Sequence, residues 1–167
     1  MLIALVSDSH DNLAKVQKAV EYFKEKGINT VIHAGDWVAP FAAIALKKGL
    51  GREGRLITVF GNNEGEHYYF REVVDKLGIE YYHEAGEVEI AGRKIAVYHG
   101  TSEVLTRALV ECGKYDLVVT GHTHQAHITP KGSTLHVNPG ELAGVLTGRA
   151  TLAVVDLESM QAELVSL

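Results

Sequence analysis

Cysteine is almost missing from this chain. Cys112 is its single thiol, so no internal disulfide can form and no thiolate cluster can hold a structural metal. A reducing compartment suits such a sequence. No linker, repeat or low-complexity tract interrupts the 167 residues, which predicts one domain over residues 1–167. Runs of lysine or arginine are lacking, and the formal charge is −5. A general nucleic-acid binder would carry a basic face, so that class is set aside. Long apolar stretches are lacking too. The opening run ends at Val6 with no basic residue before it, too short for a secretion signal or a membrane span. A soluble, cytoplasmic protein is expected.

What is present is 46% hydrophobic residues, enough at this length to bury roughly 70% of the surface an unfolded chain exposes. Leu2–Ser7 is a continuous apolar run of strand length. Asp11 or Asn12 can cap a helix over Leu13–Lys26, where Leu13, Val16, Val20 and Phe23 fall at helical spacing and Gly27 suits the C′ position. Thr30–His33 reads as a buried strand. Pro40 fits the first turn of a helix reaching about Lys48. Leu56–Phe60 is a third strand, followed by a helix from Glu66 to Lys76 and a strand at Ile79–Tyr82. This alternation implies parallel pairing with helical crossovers.

The second half reads differently. Glu87–Ile90 and Lys94–Tyr98 form a hairpin across Ala91-Gly92, Ser102–Glu111 is helical, and Leu117–Thr120 is a strand. Thr134–Val137, Thr151–Leu157 and Ala162–Ser166 add strands, the last two pairing across Glu158-Ser159. Parallel and antiparallel pairing together allow two mixed sheets packed face to face with helices outside.

Nine histidines matter by position. Five strands end in short polar clusters: Asp8-Ser9-His10, Gly35-Asp36, Gly61-Asn62-Asn63-Glu64, His99-Gly100 and Gly121-His122-Thr123-His124. Ligand sites in α/β sheets form where loops converge beyond the carboxyl ends of strands. Alone, Asp-x-His reads as a loop with a helix cap, and His99 as a satisfied core histidine. Together, Asp8, His10, Asp36, Asn62, His99, His122 and His124 offer too many donors for one tetrahedral cation. They suit two divalent cations about 3.5–4 Å apart sharing a carboxylate. Mixed imidazole, carboxylate and amide donors without thiolate favour manganese, with nickel, cobalt, iron or zinc as alternatives. His67 and His83 are expected at the surface, and His127 and His136 in packing or rim positions. His33 is a candidate to orient a ligand, and Trp37 a candidate pocket wall.

In this order, Asp-x-His, Gly-Asp, Gly-Asn-x-Glu, His-Gly and Gly-His-x-His resemble the calcineurin-like metallophosphoesterases. The short length and Val137-Asn138-Pro139-Gly140 resemble the small phosphodiesterase subfamily. The resemblance implies a four-layer α/β/β/α sandwich. It implies one metal held by Asp8, His10, Asp36 and His124, and another by Asp36 (bridging), Asn62, His99 and His122. Such a pair polarises phosphoryl oxygens and lowers the pKa of a bridging water, whose hydroxide attacks phosphorus in line. Asp36, Asn62, Asn63 and His99 are then the residues expected nearest the reacting group. Asn63, Asn138 and Gly140 are expected to border a small phosphodiester or nucleotide-type substrate.

One position departs from the wider superfamily. Asn63 stands where many members carry a histidine, and an amide cannot give up a proton at neutral pH. Losing a general acid typically costs a factor of about 10²–10⁴, which favours diesters with good leaving groups. The alternatives are a phosphomonoesterase or nucleotidase, and a non-catalytic scaffold resembling the small retromer subunit. Apolar residues over Phe41–Leu46 offer surface for a homodimer.

Overall fold

The computed structural model describes residues Met1–Leu167. Its elements run β1 (Leu2–Val6), α1 (Leu13–Lys26), β2 (Thr30–His33), α2 (Pro40–Leu50), β3 (Arg55–Thr58), α3 (His67–Leu77), β4 (Glu80–Tyr81), β5 (Ala85–Ile90), β6 (Arg93–Tyr98), α4 (Glu103–Glu111), β7 (Leu117–Val119), β8 (His127–Lys131), β9 (Thr134–Asn138), β10 (Thr151–Asp156) and β11 (Gln161–Ser166). They build one sheet in the order β11-β10-β1-β2-β3-β4 and a second in the order β5-β6-β7-β9-β8. Pairs β1/β2, β2/β3, β3/β4, β6/β7 and β7/β9 are parallel, and β1/β10, β10/β11, β5/β6 and β8/β9 are antiparallel.

Side-chain alternation along the strands makes the layers. In β1, Ala4 and Val6 join Val16, Val20, Phe23, Ala43, Leu46 and Phe70 from α1, α2 and α3 in one cluster. Their neighbours Ile3 and Leu5 join Ile32 and Ile57 against Val88, Ile95, Val97, Leu117 and Val137 of the second sheet. Ala96 and Val118 turn the other way and meet Val110 of α4. A period of two thus puts one set of residues under helices and the next between sheets. The result is the expected four-layer α/β/β/α sandwich.

Local signals explain the helix ends. The Asn12 carboxamide oxygen accepts from the Lys15 N–H at 3.3 Å, and Gly27 closes α1 at φ 66°. The Glu66 carboxylate caps α3 by accepting from the Tyr68 and Tyr69 N–H groups, both at 3.0 Å. Pro40 opens α2. Two expectations change. β3 stops at Thr58: Val59 stays in the core between the sheets, and the Phe60 N–H bonds the His83 carbonyl, just past β4, at 2.6 Å. His127–Lys131 is an additional strand, hidden in the sequence by Pro130, yet an edge strand tolerates a proline. The apolar surface expected over Phe41–Leu46 is corrected as well. Ala42, Ala43 and Leu46 are fully buried, and Phe41 alone stands well out, at 53% exposure.

Candidate metal centre

The five polar clusters do converge. They leave the ends of β1, β2, β6 and β7 and the loop after β3, all on one end of the sandwich. Asp8, His10, Asp36 and His124 each aim one ligand atom into a space where those atoms lie within 4.8 Å of one another. The backbone is bent to do this. Asp8, His10, Asp36, His122 and His124 take positive φ of 51°, 40°, 62°, 67° and 59°. Non-glycine residues sit there sparingly, and such strain collects at functional sites.

Close packing holds the bends. A Cβ on Gly61 would overlap the Asp36 carboxylate, and one on Gly121 would overlap the Ser7 hydroxyl. Backbone N–H groups of Asn62 and Asn63 donate to Asp36 Oδ1 at 2.8 and 2.9 Å, and the Asn63 amide donates to Asp36 Oδ2 at 2.8 Å. His122 N–H donates to Asp8 Oδ2 at 3.1 Å.

One oxygen of Asp8 remains. Asp8 Oδ1 and His10 Nε2 are buried without any hydrogen-bond partner. Asp8 Oδ1 lies 3.2 Å from His124 Nε2 and 3.9 Å from His10 Nε2. Orphaned polar atoms in a dry interior are costly, and a shared cation satisfies all of them at once. A neighbouring set shows the same chemistry. His99 Nδ1 donates to the Ala34 carbonyl at 2.7 Å, which leaves the Nε2 lone pair of the neutral ring facing Asp36 Oδ1 and Asn62 Oδ1, both at 3.1 Å. His122 Nδ1 lies 2.8 Å from that same Asn62 oxygen. The lone pair of neutral His99 facing two oxygens calls for a positive charge between them. The residues present therefore fit divalent cations.

The protonation balance agrees. Burial works to raise Asp36, but bonds from His99 and Asn63 outweigh it and hold the carboxyl well below its usual range. Burial raises Asp8, only partly offset by His99. His99 is disfavoured as a cation by burial, yet Asp36 and Asp8 push its pKa above the ordinary value. The carboxylates attract whatever positive charge is available, proton or metal.

Other expected residues fall elsewhere. His33 does orient the site: its Nδ1 accepts from the Gly35 N–H at 3.1 Å, so Nε2 donates to Ser9 Oγ at 3.0 Å. This ties the Asp8 loop to the Asp36 loop, and burial keeps the ring neutral. Trp37 is not a pocket wall. It is fully buried, stacked on His33 at 3.4 Å, with its indole N–H on Thr58 Oγ1 at 2.8 Å. Asn138 and Gly140 do not reach the open face either. Asn138 is 1% exposed; its amide donates to the Gly121 carbonyl and Thr123 Oγ1, and its oxygen accepts the Gly140 N–H. Both are buried, and Asn138 clamps the Gly121–His124 loop. His67 is exposed, while His127 and His136 face each other at 4.6 Å on the second sheet.

The side-chain roles of two residues escaped the sequence reading. The Glu64 carboxylate accepts four backbone N–H groups, from Asp36, Trp37, Val38 and Gly61, at 2.8 to 3.0 Å. Glu141, fully buried, holds the His124 Nδ1–H at 3.1 Å, which directs Nε2 into the centre. Being the acidic residue of Gly-Asn-x-Glu was a signal for Glu64. Nothing local marks Glu141.

Comparison with known proteins accords with this geometry. Residues 1–160 match the calcineurin-like phosphoesterase superfamily domain. The phosphodiesterase MJ0936 of Methanocaldococcus jannaschii is 33% identical over 162 residues, covering 96% of each chain. A solved archaeal phosphodiesterase superposes with a TM-score of 0.92 at 33% identity, covering 100% of both chains. A mutant Vps29 from Entamoeba histolytica shares the fold alone, with a TM-score of 0.70 at 18% identity over 100% of this chain and 99% of that one. No helix is long and apolar enough to cross a membrane. The chain belongs to the calcineurin-like phosphoesterase superfamily and is a hydrolytic phosphoesterase.

Proposed function

We propose that the protein is a metal-dependent phosphodiesterase working on small phosphodiester or nucleotide-type substrates with two divalent cations, manganese foremost. The observation that carries this is the pair of buried, unpartnered ligand atoms, Asp8 Oδ1 and His10 Nε2, pointing into the same space as Asp36 and His124. Asp8, His10, Asp36 and His124 would hold one cation; Asp36, Asn62, His99 and His122 would hold the other. When bound, such cations supply Lewis acidity at the phosphoryl oxygens and a hydroxide nucleophile near neutral pH. The relatives named as phosphodiesterases support a diester substrate.

The chain's own residues prepare that site. Asp36 is shared by both donor sets, and three N–H groups fix its orientation before any ligand arrives. The Ala34 carbonyl keeps the His99 proton on Nδ1 and leaves Nε2 free. Asn63 has a different part from the histidine found in many relatives. Its amide spends one hydrogen on Asp36 Oδ2 and offers no acidic proton, so a leaving group must depart largely unassisted. That favours diesters whose leaving groups are weak bases.

The test is a metal panel against two substrates. Chelated protein should be inert, and added manganese should restore hydrolysis of bis(p-nitrophenyl) phosphate well above that of p-nitrophenyl phosphate. No turnover with manganese, nickel, cobalt or zinc would refute the reading. A faster monoester reaction would replace it with a phosphomonoesterase.

A further inference from the structure

Glu141 does more than its single contact with His124 requires. It follows β9 and the Asn138-Pro139-Gly140 clamp, and no lysine or arginine pairs with it. Its carboxylate instead gathers five donors. Oε2 faces His124 Nδ1 at 3.1 Å and Val145 N–H at 3.0 Å; Leu146 N–H reaches both oxygens, at 2.9 and 3.1 Å. Oε1 also takes the Thr147 N–H and, at 2.7 Å, the Thr147 hydroxyl. A carboxylate offers about four lone-pair positions, so this one is filled.

Residues 145–147 have little else to hold them. Val145 and Leu146 are 64% and 76% exposed, so apolar burial does not order this turn. The turn nonetheless shapes the ground beside the metal centre. Together with His124, Gln125, Arg149, Thr151 and Ser166, Thr147 borders a depression of about 280 Å³ in which Arg149 is the one fixed charge. Just upstream, the N–H groups of Leu142 and Ala143 donate to the backbone carbonyls of Ser7 and Asp8 at 2.9 and 3.0 Å. The segment is thus sewn to the ligand loops at its start, and its tip is tied to His124 only through Glu141.

We propose that Glu141 is a positioning residue that couples the His124 imidazole to the order of the 145–147 turn, so that metal occupancy and the shape of the flanking depression depend on each other. The inference rests on the reading that His124 holds a cation through Nε2. A cation there makes the Nδ1–H a stronger donor, and a carboxylate on Nδ1–H makes the ring a better ligand. Coupling of this kind is reciprocal: whatever Glu141 adds to metal affinity, the metal returns as order in the groups Glu141 holds.

Three proteins test this: wild type, Glu141→Gln and Thr147→Val, each stripped of metal and titrated with manganese by calorimetry. Amide exchange at residues 145–147 is followed with and without the ion. Wild-type exchange there should slow at least about threefold on metal binding. Glu141→Gln should weaken one site by about 10- to 100-fold, spare the other, and abolish that metal-dependent protection. Thr147→Val should loosen the turn and, by the same reciprocity, weaken that one site by a smaller factor than Glu141→Gln does while sparing the other, a pattern that general destabilisation would not give. Unchanged affinity in Glu141→Gln, or wild-type exchange indifferent to manganese, overturns the coupling. The exchange result stands even if Glu141→Gln fails to fold. Wild-type protein that binds no manganese, nickel, cobalt or zinc removes the metal reading itself, a different failure from the preceding two.

Discussion

Glu64→Gln is the sharpest probe of how this centre is kept rigid. In the native protein Oε1 accepts from Asp36 N–H at 2.8 Å and Gly61 N–H at 2.9 Å, while Oε2 accepts from Trp37 and Val38 N–H, both at 3.0 Å. One side chain thus grips the loop after β2 and the loop after β3, which carry Asp36 and Asn62. Glutamine matches the shape but turns one oxygen into an NH2 group that confronts two N–H donors. Both donors lose their acceptor, and each buried unpaired group costs about 1–3 kcal/mol. Val38 supplies a partial offset. It is β-branched at φ 72°, a strain of about 1–3 kcal/mol that the Glu64 contact helps to impose and that relaxes once the contact goes. The net loss should be about 2 kcal/mol, a sizeable share of the roughly 5–15 kcal/mol typical of a small domain.

Urea unfolding at pH 7 measures this directly. Trp37 is the chain's one tryptophan and lies between Asp36 and Val38, so its fluorescence reports on the perturbed segment. Metal affinity should fall alongside stability, because Asp36 is the shared carboxylate of the proposed pair. An unfolding free energy within about 0.5 kcal/mol of wild type would refute the reasoning, since surface substitutions without such a role stay in that range.

Asn62→Ala should lose one of two bound manganese ions in calorimetry and keep the other; two unchanged binding events would remove Asn62 from the ligand set. Asn63→His should raise turnover of p-nitrophenyl phosphate by at least about tenfold, and an unchanged rate would show that a missing acid is not the limit. Stability should also fall with acidity through His136. Burial, with His127 opposite, lowers its pKa to about 4, so above pH 6.5 the neutral ring costs nothing, and between 6.5 and about 4 the unfolded chain takes up a proton that the native ring refuses. His136→Gln should flatten that part of the pH–stability profile in urea titrations, by on the order of 2 kcal/mol at pH 4 after allowance for partial solvent access.

Much of the fold was legible because its signals are local. Ile3–Val6 is buried on both faces and shows as an unbroken apolar run; α1 carries its cap at Asn12 and its stop at Gly27. What hid was decided by neighbours. β8 is polar, carries Pro130 and exists because β9 offers it an edge, with Pro130 opposite Leu135. Phe41–Leu46 has the composition of an apolar surface, yet only packing says which residues turn inward, and Leu46 does.

The same division runs through the site, and it separates ligands from the groups that aim them. Asp, His and Asn side chains at strand ends are visible in the sequence as candidate donors, so five clusters in order were enough to propose seven of them. A group that aims a ligand needs only an acceptor in the right place, and that place is set by tertiary structure. Glu141 lies 17 residues from His124 in sequence and 3.1 Å from it in space. Glu64 reaches across 28 residues to the Asp36 N–H. Asn138 carried a turn signal and a family pattern, and still proved to be a clamp because all its polar atoms are consumed beneath the Gly121–His124 loop. Donor identity is a matter of chemistry and survives in one dimension. Donor direction is a matter of three-dimensional hydrogen bonding, and here it rests on three side chains, half-buried Glu64 and fully buried Glu141 and His33, none of which is itself among the proposed metal ligands.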